Sequence, residues 1–294
     1  MPQPTPAWYD EQYNNRARIP EHPAILRGWA DASAHALANL HGALDVPYGV
    51  DPSEKLDIFP ALRGSGAAPV FVYLHGGYWR ALDKRDQTFI APAFVEAGAT
   101  VVLANYALCP AVSIEHIVLQ TVRALVWVYR HIAGHGGDPA RIVVSGHSAG
   151  GHLAAMMLAC EWQQVAPDLP VDLVKAALAI SGLFELEPLR HAPFLAPDLK
   201  LSAASARKLS PALMPAPRGG QLAAVVGGDE SAEFRRQNTL IAQAWGPELV
   251  TCCEALPRRN HMNILRDLVD MDARLHTIAR ELLGLPITPA AAAA

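Results

Sequence analysis

Ser148 stands in Gly146-His147-Ser148-Ala149-Gly150, where an apolar run over residues 141–146 gives way to a helical pattern. A serine on a sharp strand-to-helix turn is held in a strained conformation that projects its hydroxyl outward. Small residues two positions to either side let strand and helix approach that closely. Gly146 and Gly150 meet the need. The helix starting after Ser148 also aims unsatisfied N–H groups at the same point, which favours the negative charge of a tetrahedral intermediate. The chemistry is nucleophilic attack on a carbonyl carbon. A second glycine-rich stretch, His75-Gly76-Gly77-Tyr78-Trp79, follows the apolar run at residues 70–74. Glycines there let the backbone approach a substrate, so the N–H groups of Gly77, Tyr78 and Ala149 form a candidate oxyanion hole.

A serine at its free pKa is a poor nucleophile; it needs a base, and the base needs a carboxylate to fix its tautomer. Asp229, in Val226-Gly-Gly-Asp-Glu-Ser, follows a strand pattern whose C-terminal end shares a rim with Ser148, and is the expected acid. Glu230 is the neighbouring competitor, and the other role for Asp229 is to cap the helical pattern at 231–245. His261, in Arg258-Arg-Asn-His-Met-Asn between the last strand and the last helix, is the expected base. His75 is read as a brace for its loop, because a base supplied there would break the chain order of nucleophile, acid and base. Tyr78, Trp79 and His147 are the candidate substrate contacts, the two aromatics either lining the acyl side or stapling the loop to the core. His147 and His152 have the spacing of a metal pair but no third ligand nearby, so neither a metal nor another cofactor is expected. Asp83, Lys84, Arg85 and Asp86 read as a solvated face.

Short β-branched runs at 70–74, 100–105, 141–146, 175–181, 221–227 and 249–256 alternate with helix-length periodicity at 113–133, 148–162, 231–245 and 262–283. Continuous apolar runs belong to parallel strands covered on both faces. The fold class is therefore α/β, a doubly wound, mostly parallel sheet with helices on both faces. Residues 44–49 and 55–60 read as an antiparallel edge hairpin, with Pro47 and Pro60 suited to an edge. The prolines within 183–220 leave room only for short helices such as 202–208, which makes this stretch a cap-like insertion or a passive surface excursion.

With 294 residues, the chain is read as one domain, 1–294, comprising an N-terminal helical extension at 1–42 and the insertion at 183–220. Hydrophobic residues at 51% and charged ones at 18% support a large buried core and exclude the disordered class. A formal charge of −4 without a basic run argues against nucleic acid as a partner. No apolar stretch approaches the ~20 residues of a membrane span, and the start of the sequence lacks a secretory pattern, so a cytoplasmic protein with a small-molecule substrate is expected. The four cysteines read as buried thiols, and the alanines at 290–294 as a frayed end. Oligomeric state is not legible.

Taken together, several separated segments resemble the α/β-hydrolase arylformamidases, or kynurenine formamidases. They are His75-Gly-Gly-Tyr-Trp, Tyr106 with Pro110, Gly146-His-Ser-Ala-Gly-Gly-His-Leu-Ala-Ala-Met-Met-Leu, Ser181-Gly-Leu-Phe-Glu-Leu-Glu-Pro and Asp229-Glu-Ser-Ala-Glu-Phe, together with Leu44-Asp-Val-Pro-Tyr-Gly and Lys55-Leu-Asp-Ile-Phe. The resemblance runs from about Tyr13 to the final helix. It implies an α/β-hydrolase fold and a metal-free triad of Ser148, Asp229 and His261 that hydrolyses N-formylkynurenine to kynurenine and formate. A carboxylesterase of short acyl esters and a non-catalytic ligand-binding protein are the alternatives on the same fold.

Overall fold

The structure, a computed structural model, describes residues 4–64 and 66–287; the alanine run at 290–294 lies outside the described residues. The chain opens with three helices, α1 (Pro6–Tyr13), α2 (Asn15–Arg18) and α3 (His22–Asn39). Eight strands then form one sheet: β1 (Ala43–Pro47), β2 (Lys55–Phe59), β3 (Ala68–Leu74), β4 (Thr100–Ala104), β5 (Gly137–His147), β6 (Val174–Ile180), β7 (Gln221–Gly227) and β8 (Val250–Leu256). Their order is β1-β2-β4-β3-β5-β6-β7-β8. The predicted hairpin is the antiparallel edge, β1 on β2 and β2 on β4, and every later pairing is parallel.

Burial on both faces explains the continuous apolar runs. Along β3, Val70, Val72 and Leu74 enter one core cluster while Phe71 and Tyr73 enter the other, following the period-two alternation of a strand. Between strands run α4 (Ala91–Ala97), α5 (Ile114–His131), α6 (Ala149–Leu158), α7 (Trp162–Val165), α8 (Ala196–Leu199), α9 (Ala203–Lys208) and α10 (Ala232–Trp245), with α11 (Ile264–Val269) and α12 (Arg274–Leu283) after β8. Helices α5, α6 and α10 contribute to the first cluster, and α3, α4, α11 and α12 to the second. The doubly wound α/β-hydrolase architecture follows.

Three readings need correction. The long pattern at 262–283 is two helices, because Asp270 caps α11 and its carboxylate accepts the Asp272 N–H in an intervening turn. The pattern at 148–162 ends at Leu158. Lys84 is not on a solvated face: its ammonium lies 2.8 Å from both oxygens of Asp57 and 2.8 Å from Asp45, with Lys84 only 3% and Asp57 1% exposed. The paired carboxylates make that burial tolerable and clamp the segment after the glycine loop onto the edge hairpin. The insertion at 183–220 holds α8, α9 and short 3₁₀ turns, and α9 starts at Ser202, whose hydroxyl accepts the Ser205 N–H.

Candidate active site

The end of β5 and the start of α6 meet at Ser148, which has φ 57° and ψ −116°, a left-handed conformation that a non-glycine residue adopts only when its surroundings enforce it. The enforcement is a close backbone approach. A Cβ on Gly146 would come within 2.3 Å of the Gly150 backbone, and one on Gly150 within 2.0 Å of the Leu74 carbonyl oxygen, so neither position admits a side chain. The Ser148 N–H is anchored on the Ile180 carbonyl at 2.8 Å. Ser148 is 2% exposed.

His261 lies in the loop after β8, 5% exposed, with its Nδ1 2.6 Å from Oε2 of Glu230. A carboxylate only accepts, so Nδ1 carries the proton and Nε2 is left as the basic nitrogen. Here the expected acid is displaced by one residue. The structure brings Glu230, not Asp229, to His261: the Glu230 side chain is buried, its other oxygen accepting the Ser181 hydroxyl at 2.5 Å and the Gly227 N–H at 2.8 Å, whereas Asp229 is exposed. Nor does Asp229 cap α10, since the Ser231 hydroxyl accepts the Phe234 N–H.

The glycine loop after β3 packs against the serine turn, for a Cβ on Gly76 would meet the His147 carbonyl at 2.8 Å and the Ser148 Cβ at 3.4 Å. Gly77, Tyr78 and Trp79 follow with φ of 100°, 52° and 55°. Among the described residues, no protein acceptor takes the N–H of Gly77, Tyr78 or Ala149; Ala149 adjoins Ser148 in the chain, and Gly76, next to Gly77, packs against it. Tyr78 is half-buried, with its ring edge-on to Phe194 of the insertion. Trp79 does not face a substrate: it is fully buried in the core, edge-on to the His152 ring at 5.0 Å. A staple is its role.

The family model described as BD-FAE matches residues 56–173. Over 253 residues the chain is 33% identical to a kynurenine formamidase of Salmo salar, covering 82% of each sequence. Over 277 residues it is 32% identical to one of Danio rerio, covering 90% of this chain and 89% of that one. The chain belongs to the kynurenine formamidase family. It is also similar to a solved putative thioesterase from Silicibacter, at a TM-score of 0.80 and 29% identity over 92% of this chain and 97% of that one. As a member of the kynurenine formamidase family it is a hydrolase of the α/β-hydrolase fold. Among the described residues, no helix is long and apolar enough to cross a membrane.

In this kynurenine formamidase relative the histidines near Ser148 hold backbone. His147 Nε2 donates to the His261 carbonyl at 2.6 Å, so its ring, buried with 5% exposure, supports the base loop instead of lying open to a substrate. His152 Nε2 donates to the Leu209 carbonyl at 2.8 Å. His75 stacks on Tyr106 with centroids 4.0 Å apart and donates to the Gly76 carbonyl, bracing the loop as expected. A polar cavity of about 220 Å³ opens beside the Glu230–His261 pair, lined by Asn15, Arg18, Glu21 and Asp229 among others. It was invisible in the sequence, because α2 lies more than two hundred residues from Glu230.

Burial lowers His75 and His152 from the ordinary 6.5 to about 4, and it lowers His147 well below 6.5, with His261 adding to that effect. All three are therefore neutral in the fold. Unfolded, they take up protons near pH 6.5, so below that pH the unfolded chain binds more protons and stability falls as pH falls, for His75 and His152 down to about pH 4. Urea unfolding at pH 7.5 and pH 5 should show this loss, and His152→Gln should make the dependence shallower. A pH-independent midpoint would contradict the assignment.

Proposed function

We propose that the protein is a serine hydrolase of aryl formamides, cleaving N-formylkynurenine to kynurenine and formate. The observation that carries the mechanism is the buried hydrogen bond from His261 Nδ1 to Glu230, which holds the imidazole in the tautomer a general base needs. Ser148 Oγ attacks the formyl carbon while His261 Nε2 takes its proton. The oxyanion is held by the N–H of Ala149 with those of Gly77 and Tyr78. His261 then protonates the departing aryl amine, and water, deprotonated by the same base, hydrolyses the formyl-serine to release formate and regenerate Ser148. Similarity to kynurenine formamidases along most of the chain supports the substrate, and so does a nucleophile enclosed to 2% exposure, which suits an acyl carbon that carries only hydrogen.

The test is a side-by-side comparison of N-formylkynurenine with p-nitrophenyl acetate and butyrate. Although an anilide is intrinsically harder to cleave than an activated ester, kcat/KM for N-formylkynurenine should equal or exceed that for the acetate, and butyrate should be poorer than acetate, since each added methylene has to be accommodated at a serine only 2% exposed. Preference for butyrate with N-formylkynurenine barely turned over would make the enzyme a carboxylesterase.

A further inference from the structure

The glycine loop cannot hold its own shape. Gly77, Tyr78 and Trp79 are consecutive left-handed residues, two of them with side chains, and such a run persists only where the surroundings over-determine it. Trp79 is fixed by its burial and by its carbonyl, which accepts the Cys109 N–H at 2.7 Å. The tether on Tyr78 comes from elsewhere: its hydroxyl donates to the main-chain carbonyl of Tyr13, at the end of α1, at 2.6 Å. Tyr13 is itself pinned. It is fully buried, its hydroxyl donates to Glu233 of α10 at 2.6 Å, and that hydroxyl accepts the Gln237 amide at 3.3 Å. Glu233 is held in turn by Arg236, 2.7 Å away, and its N–H donates to the Gln12 side chain. The rigid body of α10 is thus joined through Tyr13 to Tyr78, one of the candidate oxyanion donors.

We propose that Tyr13 is a positioning residue for the reaction: through its carbonyl it fixes Tyr78, and so aims the N–H groups of Gly77 and Tyr78 at the oxyanion. This rests on the serine-hydrolase reading above. The helix α1 then belongs to the catalytic apparatus, although it contributes no reacting atom. Tyr78→Phe deletes the tether and keeps the ring; Tyr13→Phe keeps the carbonyl and deletes its anchor on Glu233.

The measurements are kcat and KM on p-nitrophenyl acetate, and the affinity for phenylboronic acid, whose tetrahedral adduct on Ser148 puts an oxygen in the hole. A misaimed donor should cost about ten- to a hundredfold, less than the ~10²–10³ of a deleted one. The expected result is a fall of that size in kcat and in boronate affinity together, with KM changing by less than about threefold, because the tether acts only on the tetrahedral state. The double variant should fall no further than Tyr78→Phe, since both act through one bond. Wild-type kcat and boronate affinity in Tyr78→Phe, a loss confined to KM, or a double variant that loses the product of the two single effects would overturn the proposal. If Tyr13→Phe does not fold, Tyr78→Phe decides alone. Covalent labelling of wild-type Ser148 by an alkyl phosphonofluoridate separates the two levels: no labelling removes the serine-hydrolase reading itself, whereas labelling with wild-type behaviour of Tyr78→Phe removes only the role of Tyr13.

Discussion

Replacing Ser148 by alanine lowers kcat by at least ~10³-fold and leaves the fold intact. The hydroxyl is the only group removed. The Cβ that sits 3.4 Å from where a Gly76 side chain would begin is kept, as is the backbone anchor from the Ser148 N–H to the Ile180 carbonyl. The left-handed backbone at this position is enforced by Gly146 and Gly150, so alanine inherits the same conformation. What remains is catalysis over water from the oxyanion donors and binding alone, which in serine hydrolases is small against the loss. Turnover at saturating substrate and thermal unfolding of the same preparation are the measurements. Wild-type turnover in the variant would mean that another group attacks the carbonyl.

The second large effect discriminates between adjacent carboxylates. Glu230→Gln should cost ~10²–10⁴ in kcat, and Asp229→Asn only a few-fold. The reason lies in the three hydrogen bonds of Glu230. One oxygen accepts two donors, the Ser181 hydroxyl and the Gly227 N–H, while the other accepts from His261 Nδ1. In glutamine the single carbonyl oxygen must serve the two donors, which turns the amide NH₂ toward His261. Nδ1 then has to accept, the proton moves to Nε2, and the imidazole can no longer take the Ser148 proton. Asp229, exposed at the mouth of the polar cavity, sets no tautomer. Comparing kcat for the two variants decides; the reverse ranking would return the acid to Asp229.

This one-residue displacement shows where the sequence stops being informative. The serine turn was legible because its requirement is local: glycines two residues to either side, between a strand pattern and a helix pattern. The parallel core was legible for a similar reason, since burial on both faces leaves continuous apolar runs such as that of β3. Asp229 and Glu230, however, both lie in the turn after β7, and what selects between them is non-local. Ser181 comes from the end of β6, and the Asp229 N–H is tied to the Arg259 carbonyl of the base loop, which leaves the next side chain facing inward. Glutamate also has the extra methylene to reach both. The burial of Lys84 is hidden for the same cause, because its partners Asp45 and Asp57 lie on the edge hairpin and nothing in Asp83-Lys84-Arg85-Asp86 reveals them. Trp79 has two possible roles in the sequence, as local sequence cannot say which side of a left-handed turn is covered.

The bond between the Tyr13 hydroxyl and Glu233 spans 220 positions, and the one between Asn260 and Glu21 spans 239. During synthesis at roughly 5–20 residues per second, Tyr13 is therefore made about 10–45 s before its anchor Glu233. Over that interval the Tyr13 hydroxyl lacks its anchor, while β3, β4 and β5 can already pair. The central strands can therefore pair before Tyr13 is fastened, and the hole beside Ser148 takes its final shape only after α10 has been made.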